Sequence, residues 1–478
     1  MLAKNNERPA KKAGAQDGSK DCFWLPPLQN AGRVKYSEVV ETVEKAVDAG
    51  SFSAGQKLPS QRELATHLGV TIATVTKAVG ELVRRGVLTA KSGSGTFVAD
   101  RPPVASIASR PAQQLNLALN RPPISPVREI LSATFAEPGS WQIDAMLDYE
   151  PIGGSLTTRA EGAAWLEARG IKVTAEKVLV TCGAHEALLA TMGALLKPGD
   201  KVLCEALNYT GLRRIAALLG IELIGVPLGP TGMQVEAFAR LCRDEAPRAA
   251  VLTPVTHNPT ATTLDEAARG AVVKALNRAG AFLLEDDIYG HLSGDSAPLL
   301  ATHYPEQTIV VSGLSKCITP GLKLGYVSAR TEILDKIRDA LYSFGWSAPS
   351  PQIALASRLF ASGLAAPCLA AQRTEAHARM RMFSDTFPTA YCGASTLASY
   401  HAWLSLPDGR PADAFANELS REGVLVSAST QFLHGSLDAP SAIRLSLGAV
   451  ESRAELAEAL SRISSQFQRS SPSLGAIV

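Results

Sequence analysis

No two of the seven cysteines, at positions 22, 182, 204, 242, 317, 368 and 392, form a C-x-x-C pair. Their odd number and scatter argue against a disulfide framework or a zinc site, leave no metal centre to expect, and fit a reducing cytoplasm. Long apolar runs are lacking too: the best candidate for a membrane span, Val178 to Leu196, is broken by His185 and Glu186. The basic N-terminal stretch is not followed by an apolar one, so no secretory signal is expected. Net charge is almost absent, with 47 Lys and Arg against 45 Asp and Glu. Total charge therefore does not suggest a polyanion partner. The balance is uneven, however, because residues 1–100 carry 14 basic and 10 acidic side chains. Any polyanion-facing surface is expected at that end.

What is present divides the 478 residues into more than one domain. Residues 1–30 are polar and without periodicity and read as a disordered lead. Residues 31–100 carry a compact helical pattern, and 101–114, rich in proline and small residues, read as a linker. From residue 115 to 478 short β-branched runs alternate with Ala/Leu-rich stretches; KVLVT (177–181), KVLCE (201–205), AAVLTP (249–254), AFLLE (281–285) and TIVVS (308–312) are examples. That alternation predicts an α/β domain with a mostly parallel sheet, followed over the last hundred or so residues by a smaller α+β lobe.

Within the first segment, Val39, Val40, Val43 and Val47 give a helix over 36–49 an apolar stripe. Ser60 and Glu63 have the spacing of a capping box, because the hydroxyl and the carboxylate can each accept from the other's free amide. Gly69 ends that helix, Thr71 can cap the next, and Val75, Val79, Leu82 and Val83 repeat at helical spacing. Gly86 closes it, and VLTAK–SGSG–TFVAD has the pattern of a hairpin. Two short helices around a tight glycine turn are the geometry of a helix-turn-helix, whose second helix enters the major groove.

The stretch KLPSQRELATHLGVTIATVTKAVGELVRRGVLTAKSGSGTFV resembles the GntR-type winged helix over its whole length. The resemblance implies double-stranded DNA as a partner, with Arg62, Thr71, Thr74, Thr76 and Lys77 facing it. It also implies that the wing residues Gly93, Ser94, Gly95 and Thr96 lie beside the backbone. Ile72 stands where the family usually has a basic residue; it offers no phosphate contact but could touch a thymine methyl.

Four motifs mark the larger segment. Glu285-Asp286-Asp287-Ile288-Tyr289, Ser315-Lys316 and Asn258-Pro259 each follow an apolar strand pattern, at the strand ends where open α/β sheets bind ligands. Thr181-Cys182-Gly183-Ala184-His185 reads as strand, glycine turn and helix start, where free amides and the helix dipole suit a phosphate. Together and in this order they resemble the fold-type I aminotransferases, most of all in HNPT, EDDIYGHL and SGLSKCITPGLKLGY. Joined to a GntR-type winged helix, the chain resembles the MocR subfamily of regulators.

That resemblance implies pyridoxal 5'-phosphate as cofactor, held as an imine on Lys316 that an incoming amine displaces by transimination. Asp286 rather than Asp287 would hold the pyridine nitrogen protonated, since the D-x-x-Y spacing leaves Tyr289 for the ring hydroxyl, with Asn258 donating to the same oxygen. Tyr209 would stack on the ring. Ala184, His185, Ser315 and Lys323 would surround the phosphate, Tyr149 would reach a phosphate across a homodimer interface, and Arg444 would grip an effector carboxylate. The chain departs from the family at Lys323, Gly313, Ala261 and Ala184, all around the phosphate, where relatives carry arginine, serine, glycine and a hydroxyl. The expected function is a cytoplasmic transcriptional regulator without a membrane role, sensing an amine or amino acid. A working aminotransferase and a regulator sensing pyridoxal phosphate itself are the alternatives.

Overall fold

The computed structural model describes residues 36–48, 56–84, 87–91, 95–98, 114–136, 141, 143–294, 299–393, 398–435 and 437–469. The chain forms two compact units, Met1–Pro111 and Ala112–Val478. In the first, three helices, α1 (Tyr36–Asp48), α2 (Gln61–Leu68) and α3 (Ile72–Arg84), precede a hairpin of β1 (Leu88–Lys91) and β2 (Gly95–Val98). The capping box forms as its chemistry requires: Glu63 N donates to Ser60 Oγ at 3.3 Å and Ser60 N to the Glu63 carboxylate at 2.7 Å. Gly69 ends α2 in the left-handed conformation at φ 67°, which turns the chain into α3. Val39, Val40, Val43, Leu64, Leu68, Val75, Val79 and Leu82 meet in one buried cluster with Leu88 and Val98 of the hairpin. Gly86 lies outside the described residues.

In the second unit, β3 (Leu115–Asn116) is followed by the strands of a seven-stranded sheet. These are β4 (Val178–Thr181), β5 (Lys201–Glu205), β6 (Glu222–Val226), β7 (Ala249–Leu252), β8 (Phe282–Asp286), β9 (Thr308–Gly313) and β10 (Gly325–Ser328). Their spatial order is β4-β10-β9-β8-β7-β5-β6, and only β10 runs against the rest. Continuous Val/Leu/Ile runs such as Val178–Thr181, buried at every position, are what a sheet covered by helices on both faces demands. The apolar stretch from Val178 to Leu196 is one such strand plus the helix α4 (Ala184–Leu195), both packed inside. No single helix among the described residues is long and apolar enough to cross a membrane.

The smaller lobe pairs a three-stranded antiparallel sheet of β11 (His401–Ser405), β13 (Ser427–Ala428) and β14 (Ala442–Ser446) with its own buried cluster. It is not built from the last hundred residues alone. The strand β3 pairs in parallel with β12 (Val424–Leu425), and Leu117 is fully buried in that cluster. The start of the second unit therefore belongs to its end.

Candidate functional site

Strand ends assemble the site. Asp286 closes β8, Asn258 lies beyond β7, and Lys316 follows β9 by a tight turn. Arg444 comes from β14 of the smaller lobe, and its Nη1 donates to Asn258 Oδ1 at 3.0 Å. Lys316 is half-buried, and its Nζ donates to the carbonyl of Asn120 at 2.5 Å. The amide of Asn120 in turn donates to the Tyr289 hydroxyl at 2.8 Å. Lys316, Tyr289, Asn258 and Arg444 are thus linked through segment 118–120 and through one another.

The two adjacent aspartates differ sharply. Asp287 is held by Arg169 at two points, 2.9 and 3.1 Å, with both side chains buried. Asp286 receives one long bond, from Ile288 N at 3.4 Å. Burial pushes the Asp286 carboxyl up to about 7, and Asp287 adds repulsion, partly offset by Ile288 N and Lys316. Burial likewise brings the Lys316 ammonium down to about 8; Arg444 lowers it further, while Asp286 and Cys317 oppose the shift. More of such a lysine is the neutral nucleophile at pH 7 than of an exposed one. The Tyr289 hydroxyl is raised by burial, with Arg444 opposing.

At the far side of the sheet end, Gly183 caps α4 at φ 85° with no side chain of its own, so the first amides of the helix stay open. Gly325 of β10 makes this approach possible: a Cβ there would lie 2.7 Å from Gly183 C and 2.9 Å from Ala184 N. Lys323 passes the same turn, 3.5 Å from where a Gly183 Cβ would stand. The His185 ring is pushed down by partial burial and by the Lys323 and Arg214 cations. Ser315 is half-buried beside Lys316. A serine at Gly313 would place its Cβ 2.8 Å from Leu324 O, so the missing hydroxyl has a steric reason. Tyr209 is half-buried at the start of the helix α5 (Thr210–Leu219), edge-on to His185 with centroids 6.0 Å apart. Gly211 leaves room for its ring.

Tyr149 stands in different surroundings. The residue is 82% exposed, and its ring lies 5.9 Å from that of Trp346. In the first unit Arg62, Thr71, Thr76 and Lys77 are exposed and Thr74 is half-buried. Thr71 Oγ1 accepts from Thr74 N at 3.2 Å, Thr76 donates to Gln61 at 2.6 Å, and the Lys77 ammonium rests 4.3 Å over the Tyr36 ring. Gly95 and Thr96 begin β2, while Gly93 and Ser94 lie outside the described residues. Sequence reasoning passed over Lys57, whose side chain lies 2.8 Å from where a Gly95 Cβ would stand. It also passed over Asn120 and Arg169, which carry no motif and gain their places only by folding.

Lys316, Asp286, Tyr289, Asn258 and the start of α4 are the residues here that would hold pyridoxal phosphate. Among the described residues the site offers a half-buried lysine of lowered basicity, a buried carboxylate without an ion pair, and a helix start without a capping side chain. Arg444 adds a buried Nε that finds no hydrogen-bond partner among the described residues. Such a donor set defines a fold-type I aminotransferase-like domain. Residues 112–463 match the family model of aminotransferases class I and II, and residues 35–98 that of bacterial regulatory proteins of the gntR family. The chain belongs to the aminotransferase class I and II family and, with its GntR segment, is a GntR-type regulator of MocR type. It is similar to the uncharacterized HTH-type transcriptional regulator YdeF of Bacillus subtilis, 27% identical over 441 residues, covering 91% of this chain and 95% of the relative. It is also 31% identical over 311 residues to the pyridoxine biosynthesis transcriptional regulator PdxR of Corynebacterium glutamicum, covering 62% and 66%. Among solved structures, the α-aminoadipate aminotransferase LysN of Thermus thermophilus aligns with a TM-score of 0.66 at 25% identity, over 74% of this chain and 92% of that one.

Proposed function

We propose that the chain is a DNA-binding transcriptional regulator that holds pyridoxal 5'-phosphate and senses an amino compound at Lys316. The supporting observation is a half-buried Lys316 and a buried Asp286, which receives only one long bond among the described residues, in one site with Arg444 bonded to Asn258. When bound, pyridoxal phosphate supplies an aldehyde for which Lys316 and an incoming amine compete, and a ring whose protonated nitrogen draws electrons. Asp286 keeps its proton or shares it with that nitrogen; a low-dielectric surrounding makes the ionic form costly without such a partner. Tyr289 and the free amide of Asn258 are the donors toward the ring hydroxyl, and Tyr209 offers a stacking face. Amides of Ala184 and His185, with Ser315 and Lys323, receive the phosphate. Arg444 takes the effector's carboxylate.

The proposed organisation is a lead over 1–30, a winged helix over 31–100, a linker over 101–114 and the sensor over 115–478. Arg62, Thr71, Thr74, Thr76, Lys77 and the wing from Gly93 to Thr96 would meet the DNA. We place the protein in the cytoplasm as a homodimer. The exposed Leu147, Tyr149, Tyr342 and Trp346 give one face the apolar character of a protein contact, with Tyr342 5.0 Å from Trp346.

A mobility-shift assay on DNA upstream of its own gene, with and without pyridoxal phosphate and candidate amines, tests this reading. Amine-dependent binding with negligible turnover supports it, and Lys316→Ala must abolish the imine absorbance band. The same donor set also favours a working aminotransferase; sustained keto-acid production, on the order of 1 per second, would establish that instead.

A further inference from the structure

Segment Leu117–Arg121 sits on both contacts that the proposed effector needs. The Ala118 carbonyl accepts from Arg444 Nη2 at 2.5 Å, where an effector carboxylate would bind. Two residues on, the Asn120 carbonyl takes Lys316 Nζ. Both ends of this segment are fixed to the smaller lobe. Leu117 N donates to Leu425 O at 2.7 Å and Ser446 N to Leu117 O at 2.8 Å. Arg121 pairs with Glu451 at 2.9 Å and donates to Ala449 O at 2.9 Å. Between them the bend is shaped by Asn116, whose Oδ1 accepts from Ala118 N at 2.9 Å and Leu119 N at 3.3 Å. Asn120 latches the far side to Tyr289.

We propose that residues 118–120 are a strap that an effector carboxylate must displace from Arg444, so that amines carrying a carboxylate move it and plain amines do not. The inference rests on the sensor reading above. An ionised carboxylate makes stronger bonds to a guanidinium than a neutral carbonyl does, so it displaces Ala118 from Arg444. A plain amine reaches Lys316 but leaves Ala118 in place. In its present position the Ala118 carbonyl also accepts from Ser427 Oγ at 3.4 Å, a second partner besides Arg444. Its first anchor, β3, is the first described strand of the second unit, so the strap lies close in sequence to the DNA-binding unit.

The test uses the full chain loaded with pyridoxal phosphate and follows the cofactor absorbance against L-alanine and ethylamine, a matched pair differing in the carboxylate. Asn116→Ala, remote from the cofactor residues, loosens the bend. It is expected to lower the L-alanine midpoint about three- to tenfold and to leave that of ethylamine within about twofold. Asn120→Ala, which releases the latch, is expected to lower both. Equal shifts for the two probes in Asn116→Ala, or none, overturn the strap while a wild-type response to L-alanine keeps the sensor reading intact. Absence of any cofactor band in the wild type overturns both.

Discussion

Arg169 and Asp287 form a buried two-point ion pair directly behind the residue expected to meet the cofactor ring. Gly290 belongs to the same arrangement, because a Cβ there would lie 2.1 Å from Asp287 Oδ1. The pair commits one of two neighbouring aspartates and leaves Asp286 available.

Removing one partner leaves a buried charge without compensation. Arg169→Ala is therefore expected to destabilise the protein by about 3–5 kcal/mol, and Arg169→Ala with Asp287→Ala by clearly less. Chemical denaturation of the single and double variants checks this; equal losses would refute the coupling.

Asp286 should make the ligand-free protein sensitive to alkali. Its folded pKa, about 7, lies above the ordinary 3.8. The neutral carboxyl's contribution is thus complete below pH 4 and is lost as pH rises through about 7. Asp286→Asn is expected to be more stable than wild type near pH 8, by on the order of 2 kcal/mol, with the difference closing toward pH 4. Thermal midpoints across that range read it out. The same variant should load pyridoxal phosphate poorly.

Ala261 occupies the position of the family's glycine at φ 56°, in the left-handed region, with its side chain buried. Ala261→Gly relieves that strain, and the expected gain is about 1 kcal/mol, reduced by the glycine's greater freedom when unfolded. A loss of stability on denaturation would show that the methyl's packing outweighs the strain.

Lys323 is another non-glycine residue at positive φ, 43°. Arginine in its place restores a planar fork toward phosphate. Lys323→Arg is expected to tighten cofactor binding several-fold in a fluorescence titration, without altering the response of the DNA-binding unit.

On the first unit, Arg62→Ala and Lys57→Ala should each weaken DNA binding and reduce the slope of affinity against salt by about 1 if they meet phosphates. Cofactor loading should be unchanged. A slope identical to wild type would remove that residue from the interface.

Local pattern carried much of this protein. Alternating β-branched and Ala/Leu-rich runs determined the sheet and its helices, and Ser60, Glu63 and Gly69 determined where α2 begins and ends, because caps and periodicity act within a few residues. The strand-end motifs of Asn258, Asp286 and Lys316 were visible for the same reason. Tertiary structure alone decided what surrounds them. Arg169 reaches Asp287 over 118 positions, Asn120 reaches Lys316 over 196, and Arg444 reaches Ala118 over 326. Such pairs leave no periodic trace, since their geometry arises from the order of strands in the sheet and from β3 joining the smaller lobe. Sequence marked the chemistry; packing chose which carboxylate stands free and which carbonyls guard the lysine and the arginine.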